Sequence, residues 1–277
     1  MTNSIAATDI ETFPDIELAR ALDDDLNNKT DQEVISWIGE NKGREGFPKQ
    51  LFHRVISQSW GVWSDTGFKI VRLGTMTDTG RDEQSIITDF ATALAMRGGA
   101  TRCKMYTFNG KGFDLPVICQ RAMRYGIDLS YYWDQGSKQK DTKWNNYVNR
   151  YQEAHTDLCD VLAHYGSGKP GLNDLAVFCG LPGKIGVGGS SVAEEFLAGN
   201  YEDIDNYCDV DVLITFLLGM KFSVTQGIAR SDFQQSIRDV RAFLRKAQKV
   251  EGCNPLFEQF DDETDWELFG KTVEIKA

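Results

Sequence analysis

The run Ala6-Ala7-Thr8-Asp9-Ile10-Glu11-Thr12-Phe13 constrains this chain more than any other stretch, because it sets two carboxylates two positions apart in a strand-like segment. Side chains alternate faces along a strand, so Asp9 and Glu11 project together while Ile10 turns the other way, into the core. Such a pair can hold a metal ion, or it can be the solvated acidic face of a half-buried strand. What else in the chain converges on it decides between the two.

At 277 residues the chain has room for one large domain or two small ones, and 41% hydrophobic with 26% charged residues is an ordinary globular composition. A net charge of -11 excludes a protein that grips nucleic acid through a broad basic surface. It leaves room for an enzyme that meets a phosphodiester through bound divalent cations. The six cysteines, at 103, 119, 159, 179, 208 and 253, form no C-x-x-C pair and no zinc spacing, which predicts reduced thiols and no structural metal. The N-terminus carries acids where a signal peptide needs basic and then apolar residues, and the apolar run 212–218 is too short to span a bilayer. The expectation is a soluble, cytoplasmic protein without a membrane partner.

In chain order, residues 23–29 read as a polar surface loop and 32–40 as a short helix ending near Gly43. Residues 52–63 and 68–73 read as paired strands across the turn 64–67, so that three strands precede the first long helix. That helix is expected over 82–96, with Gly98-Gly99 as its stop, and a strand follows at 104–108. Strand, helix, strand implies a crossover that sets the 104–108 strand parallel to the opening one. The turn 109–116 matches neither nucleotide-binding fingerprint and leads into a helix through Tyr125. Asp114 at that helix start can be a cap or a ligand, and the roles are compatible. Residues 127–150 interleave aromatics with lysines, as in a self-packed loop or a platform for single-stranded nucleic acid. A last strand, or a strand entering a helix, is expected over 155–162 and a helix over 172–181. A loop follows over 183–189, in which Lys184 is a solvated lysine or meets a phosphate. Helices are expected over 201–220 and 232–250. The acidic tail from Glu258 ends in residues 271–277, an edge strand or a frayed end.

The helix over 201–220 carries a third acidic motif, Tyr207-Cys208-Asp209-Val210-Asp211. Residues four apart share a helix face, so Tyr207 and Asp211 point together, with Asp209 turned away and free to be solvated. An acid on an otherwise apolar face needs a cation or a hydrogen-bond partner. If Asp9, Glu11, Asp114 and Asp211 meet at one sheet edge, they form a strongly repelling cluster. Two such charges 4 Å apart repel by about 4 kcal/mol at an effective dielectric near 20. Divalent metals relieve that repulsion, and carboxylate oxygens suit magnesium or manganese.

Taken in order, Asp9-Ile10-Glu11-Thr12, Asn109-x-x-x-Phe113-Asp114 and Tyr207-x-x-x-Asp211 resemble the three exonuclease motifs of the DEDD superfamily of 3′-5′ exonucleases, in its tyrosine branch. The likeness is to predicted exonucleases related to the exonuclease domain of family B DNA polymerases. Phe52-His53-Arg54-Val55, His155-x-Asp157-Leu158-x-Asp160 and Leu181-Pro182-Gly183-Lys184 extend it over about residues 5–222. The resemblance implies an α/β, ribonuclease-H-like fold with a mixed five-stranded sheet flanked by helices, as an exonuclease domain over 1–222. A helical extension and acidic tail would follow over 223–277. It implies that Asp9, Glu11, Asp114 and Asp211 hold two ions, Mg2+ or Mn2+, and that Tyr207 orients the attacking water. Asn206 stands where the histidine branch has its histidine. Thr12 and Phe13 would line the terminal-nucleotide pocket, with Asn109 and Phe113 as further contacts. The expected partner is the 3′ end of a nucleic acid, DNA rather than RNA, with a separate polymerase or repair protein needed for proofreading. An RNA exonuclease of the same chemistry and a catalytically silent scaffold of the same fold are the alternatives.

Overall fold

The computed structural model describes residues 4–97, 103–138, 140–183, 185–186, 192–227 and 230–273. The expected helix stop at Gly98-Gly99, Lys184, most of the 183–189 loop and residues 274–277 lie outside the described residues.

The chain opens with β1 (Ile5–Pro14), followed by α1 (Ile16–Leu22), whose first turn is capped by Asp15 accepting from the Leu18 amide at 2.9 Å. Residues 23–29 are more than a polar loop. They form a 3-10 turn that buries Leu26 with Val34 and Ile38, because one apolar side chain in the acidic run suffices to pin it. Helix α2 (Asp31–Lys42) starts at a capping box in which Thr30 and Glu33 satisfy each other's backbone amides. The two-residue strands β2 (Gly43–Arg44) and β3 (Phe47–Pro48) pair as a small hairpin. The long antiparallel pair β4 (His53–Ser64) and β5 (Gly67–Arg72) follows as expected, and then a second short hairpin, β6 (Met76–Thr77) with β7 (Gly80–Arg81). The two hairpins add to the three strands expected here; at two residues per strand they are too short to leave a periodic signal.

Helix α3 (Glu83–Arg97) leads to β8 (Lys104–Thr107), and α4 (Asp114–Tyr125) ends at Gly126 in the left-handed conformation, φ 66°. Then come the single turn α5 (Ser130–Trp133), β9 (His155–Asp157) running into α6 (Leu158–Leu162), α7 (Leu172–Cys179) and α8 (Val192–Ala198). The longest helix is α9 (Tyr201–Thr225), followed by α10 (Arg230–Ala247), α11 (Leu256–Glu263) and α12 (Trp266–Gly270). No helix of the described residues is long and apolar enough to cross a membrane, and all six cysteines are free.

Five strands form one mixed sheet in the order β5-β4-β1-β8-β9, antiparallel on the β4 side of β1 and parallel on the β8 side. This is the ribonuclease-H-like sheet that the motifs imply. Alternation along β1 divides the core: Ala6 and Ile10 join Val55, Trp60, Phe90 and Ile118 under α3 and α4. Ala7 faces α9 with Tyr106, Leu213 and Phe216. Each large side chain buried this way stabilises the fold by about 2 kcal/mol. Helix α9 lies very close to the sheet at Gly219, where a Cβ would stand 2.4 Å from the Tyr106 ring. Residues after 222 complete the same layer: Phe233, Val240, Phe257, Phe260 and Phe269 are buried in the cluster that contains α9. Since α10 and α11 cover its outer side, α9 has almost no solvent face.

Candidate active site

β1 is central in the sheet, so Asp9 and Glu11 stand mid-sheet, on the strand face that meets α9. The acids therefore gather near the carboxyl ends of two central parallel strands, and not at a sheet edge, because the chain leaves β8 directly into the loop before α4. Phe113 is the N-cap residue of α4 and makes no side-chain capping bond, so Asp114 is the first helical residue and no conventional cap. Tyr207 and Asp211 lie one turn apart on α9, and the Asp211 carboxylate is close enough to raise the Tyr207 phenol.

The four carboxyl groups are close enough to perturb one another. Burial, then Asp114, Glu11 and Asp211 in that order, push Asp9 well above the usual carboxylate range. Glu11 is raised by burial, Asp211 and Asp114. Asp114 is pushed up to about 7, chiefly by burial and partly by Asp157 and Asp211, against backbone hydrogen bonds including one from Ile10. Burial and the same acids raise the Tyr207 phenol, which keeps it protonated and able to donate. Among the described residues no salt bridge reaches Asp9, Glu11 or Asp114. An uncompensated set of carboxylate oxygens is the donor set that a hard divalent cation takes.

Cys208 also stands here: its sulfur and ligand atoms of Asp9 and Glu11 lie within 4.8 Å of one another. Its thiol is raised by burial and by Asp9 and Glu11, and its sulfur lies 3.5 Å from the Asp9 carbonyl oxygen as a donor. A thiol held protonated is a wall of the site and a poor ligand.

Asp209 corrects the expectation of a solvated acid. It is 3% exposed and accepts from Ser59 Oγ at 2.6 Å and Arg72 Nη2 at 2.8 Å, because α10 and α11 leave that side of α9 no water. Asp205 is held likewise by Ser57 Oγ at 2.5 Å and Arg81 Nε at 2.9 Å. Asn206 accepts from Arg72 at 2.6 Å.

The substrate contacts expected from the motifs fall into different settings. The Thr12 hydroxyl is 2.8 Å from His53 Nδ1, and His53 is held neutral by burial. Phe13 is 5% exposed and packs on Phe196 of α8 with ring centroids 4.6 Å apart, so α8 covers the face expected to line a pocket. Phe113 is half-buried, edge-on to His53 at 4.8 Å and 5.4 Å from Phe47, an exposed ring on the β2–β3 hairpin. Asn109 takes a left-handed φ of 61° and donates its amide to Asp157 Oδ1 at 2.9 Å. Asp157 also accepts from the Lys111 amide at 2.8 Å and so fixes the loop that delivers Asp114. Its anchoring role has no local signal, since the loop it holds lies 46 residues away in sequence.

A family B DNA polymerase from the hyperthermophilic archaeon Pyrobaculum calidifontis is similar in structure, with a TM-score of 0.46 and 16% sequence identity. The similarity covers 78% of this chain and 24% of the polymerase, so the chain spans about a quarter of that protein's length. No curated protein matches the chain. A family profile, that of the predicted 3′-5′ exonucleases related to the exonuclease domain of PolB, matches residues 45–264. That span contains Asp114, Tyr207 and Asp211, while Asp9 and Glu11 precede it and join them through the pairing of β1 with β4 and β8. With most of its length inside the match, the chain belongs to this family of predicted 3′-5′ exonucleases.

Proposed function

We propose that the protein is a divalent-metal-dependent 3′-5′ exonuclease that releases nucleotides from the 3′ end of single-stranded DNA. The observation that carries this reading is the convergence of the four motif carboxylates: Asp114 and Asp211 both act on Asp9 and on Glu11, and no salt bridge reaches Asp9, Glu11 or Asp114 among the described residues. Such a cluster costs the fold free energy when ionised, and that cost is tolerated where a ligand removes it.

In this reading the four carboxylates hold Mg2+ or Mn2+, two ions in all. Bound there, such ions lower the pKa of a water and offset charge on the leaving oxygen. Tyr207, held neutral by burial and by Asp211 one turn away, orients the attacking water with its hydroxyl. The water oxygen bonds to phosphorus, the bond to the preceding 3′ oxygen breaks, and that oxygen leaves as a 3′-hydroxyl on the shortened strand. Thr12 and the exposed edge of Phe113 meet the terminal nucleotide, and Asn109 holds the loop beside it. Phe13 supports the pocket from beneath. In proofreading, a separate polymerase would supply the strand.

Incubation with a labelled single-stranded DNA oligonucleotide and Mn2+ is expected to release mononucleotides from the 3′ end, faster than from the matched RNA. Tyr207→Phe should slow release by about tenfold or more while Mn2+ affinity is kept. No release by the wild-type protein would end the proposal, and equal loss of metal binding in Tyr207→Phe would remove the water-orienting role.

A further inference from the structure

The loop that carries Asn109 and the first turn of α4, which begins at Asp114, also form one wall of a second cleft of about 560 Å3. Three cations converge on it in a chain whose net charge is -11. Arg150 Nη2 is 2.6 Å from Asp160 Oδ2, and Lys169 Nζ is 3.2 Å from both Asp160 Oδ1 and Asn109 Oδ1. Lys111 Nζ donates to the His155 carbonyl at 3.1 Å. The acids facing these cations are Asp160 and Asp157, and both are buried, whereas the Arg150 and Lys169 side chains are 43% and 37% exposed. Water at this cleft therefore meets positive charge, with the compensating carboxylates beneath it.

Aromatic surface lies at the same place. Trp133 lines the cleft and is 52% exposed, and the Arg150 guanidinium stands 5.0 Å from the Tyr165 ring and 6.0 Å from that of Tyr151, itself 70% exposed. Exposed rings beside unburied cations are the combination that holds single-stranded nucleic acid, by stacking on bases and pairing with phosphates. An apolar peptide would leave the cations unmatched, and an acidic peptide would leave Trp133 uncovered.

We infer that this cleft holds the single-stranded stretch on the 5′ side of the nucleotide being released, with phosphates on Lys169 and Arg150 and a base on Trp133. The inference rests on the exonuclease reading and extends it, because Gly112 and Pro116, which line the cleft, flank Asp114 of the carboxylate cluster.

Fluorescence anisotropy with Ca2+ would compare a labelled 12-nucleotide DNA strand with the matching dinucleotide. Lys169→Gln and Arg150→Gln should each weaken the 12-mer about fivefold and flatten the slope of log K against log salt by about 0.7. Trp133→Ala should weaken it about fivefold or more without altering that slope. Asp160→Asn should tighten it, a change of sign that a damaged fold would not produce. The dinucleotide should move less than twofold. Unchanged 12-mer affinity and slope in all four variants would overturn the proposal, as would equal loss on both ligands. An oligoglutamate of matched charge competing as well as the DNA would also overturn it. If wild type releases mononucleotides from the 12-mer with Mn2+ while the variants bind unchanged, the cleft assignment alone falls. If wild type releases none, the exonuclease reading falls with it.

Discussion

Helix α9 carries acids on two sides, and they are treated in opposite ways. Asp205 and Asp209 are each neutralised by a guanidinium and a serine hydroxyl, from Arg81 with Ser57 and from Arg72 with Ser59. Asp211, one turn beyond Tyr207, faces Asp9 and Glu11, and together with Asp114 it raises the proton affinity of both. Asp205 and Asp209 are buried and Asp9 and Asp211 half-buried, but Glu11 and Asp114 are buried as well, so burial alone does not separate a structural acid from a functional one. Counter-charge does. Where the fold supplies cations, as to Asp205 and Asp209, the acids stabilise it, and where no salt bridge reaches them among the described residues, as at Asp9, Glu11 and Asp114, a ligand is expected to.

The contrast is broken most forcefully at Asp9. Asp9→Asn should lower nucleotide release by at least about a thousandfold, near 4 kcal/mol in barrier, and yet raise the melting temperature of the metal-free protein. Lower stability with residual activity would place Asp9 among the structural acids. Next in size is Arg72→Ala, which leaves Asp209 buried without its guanidinium. It should destabilise the fold by about 3 kcal/mol, roughly 6 °C in Tm, with nearly unchanged release per folded molecule. Thermal unfolding and an assay on the same preparation would check both parts.

The smallest effect sharpens the comparison through pH. Asp9, Glu11 and Asp114 have folded-state pKa values above their unfolded values, Asp114 at about 7. Their contribution is therefore fully present below the unfolded pKa and is lost as pH rises through the folded one. His53 and His155 have lowered pKa values and act oppositely, but only below about pH 6.5, where they would charge on unfolding. Between about pH 6.5 and 7.5 the metal-free protein should thus lose stability, by about 1 kcal/mol, and Mn2+ should abolish the slope. A flat or rising profile without metal would deny the cluster its shared charge.

Local rules made much of this legible. Alternation along residues 5–14 aligned Asp9 with Glu11, and helical spacing aligned Tyr207 with Asp211. The turn at 64–67 gave the β4–β5 hairpin, and the strand-helix-strand order gave the parallel neighbour of β1. What the sequence hid was whatever depends on distant cover. Asp209 read as solvated because nothing near it announces α10, α11 or Arg72, which lies 137 residues away. The cover that α8 lays over Phe13, from more than 180 positions downstream, has no local signal either. Asp157 holds the loop before Asp114 through backbone amides, and amides carry no sequence signature. The exonuclease motifs mark Asp9, Glu11 and Asp114, which no salt bridge reaches among the described residues, and pairing across the fold identifies Asp205 and Asp209 as acids that have one.

Calorimetric titration of Mn2+ into the wild-type protein, Asp211→Asn and Arg72→Ala tests most directly that the clustered motif acids form one cation site. Binding to wild type, at least about tenfold weaker in Asp211→Asn and within twofold of wild type in Arg72→Ala, is the predicted result. Absence of binding to wild type, or equal affinity in wild type and Asp211→Asn, would contradict it.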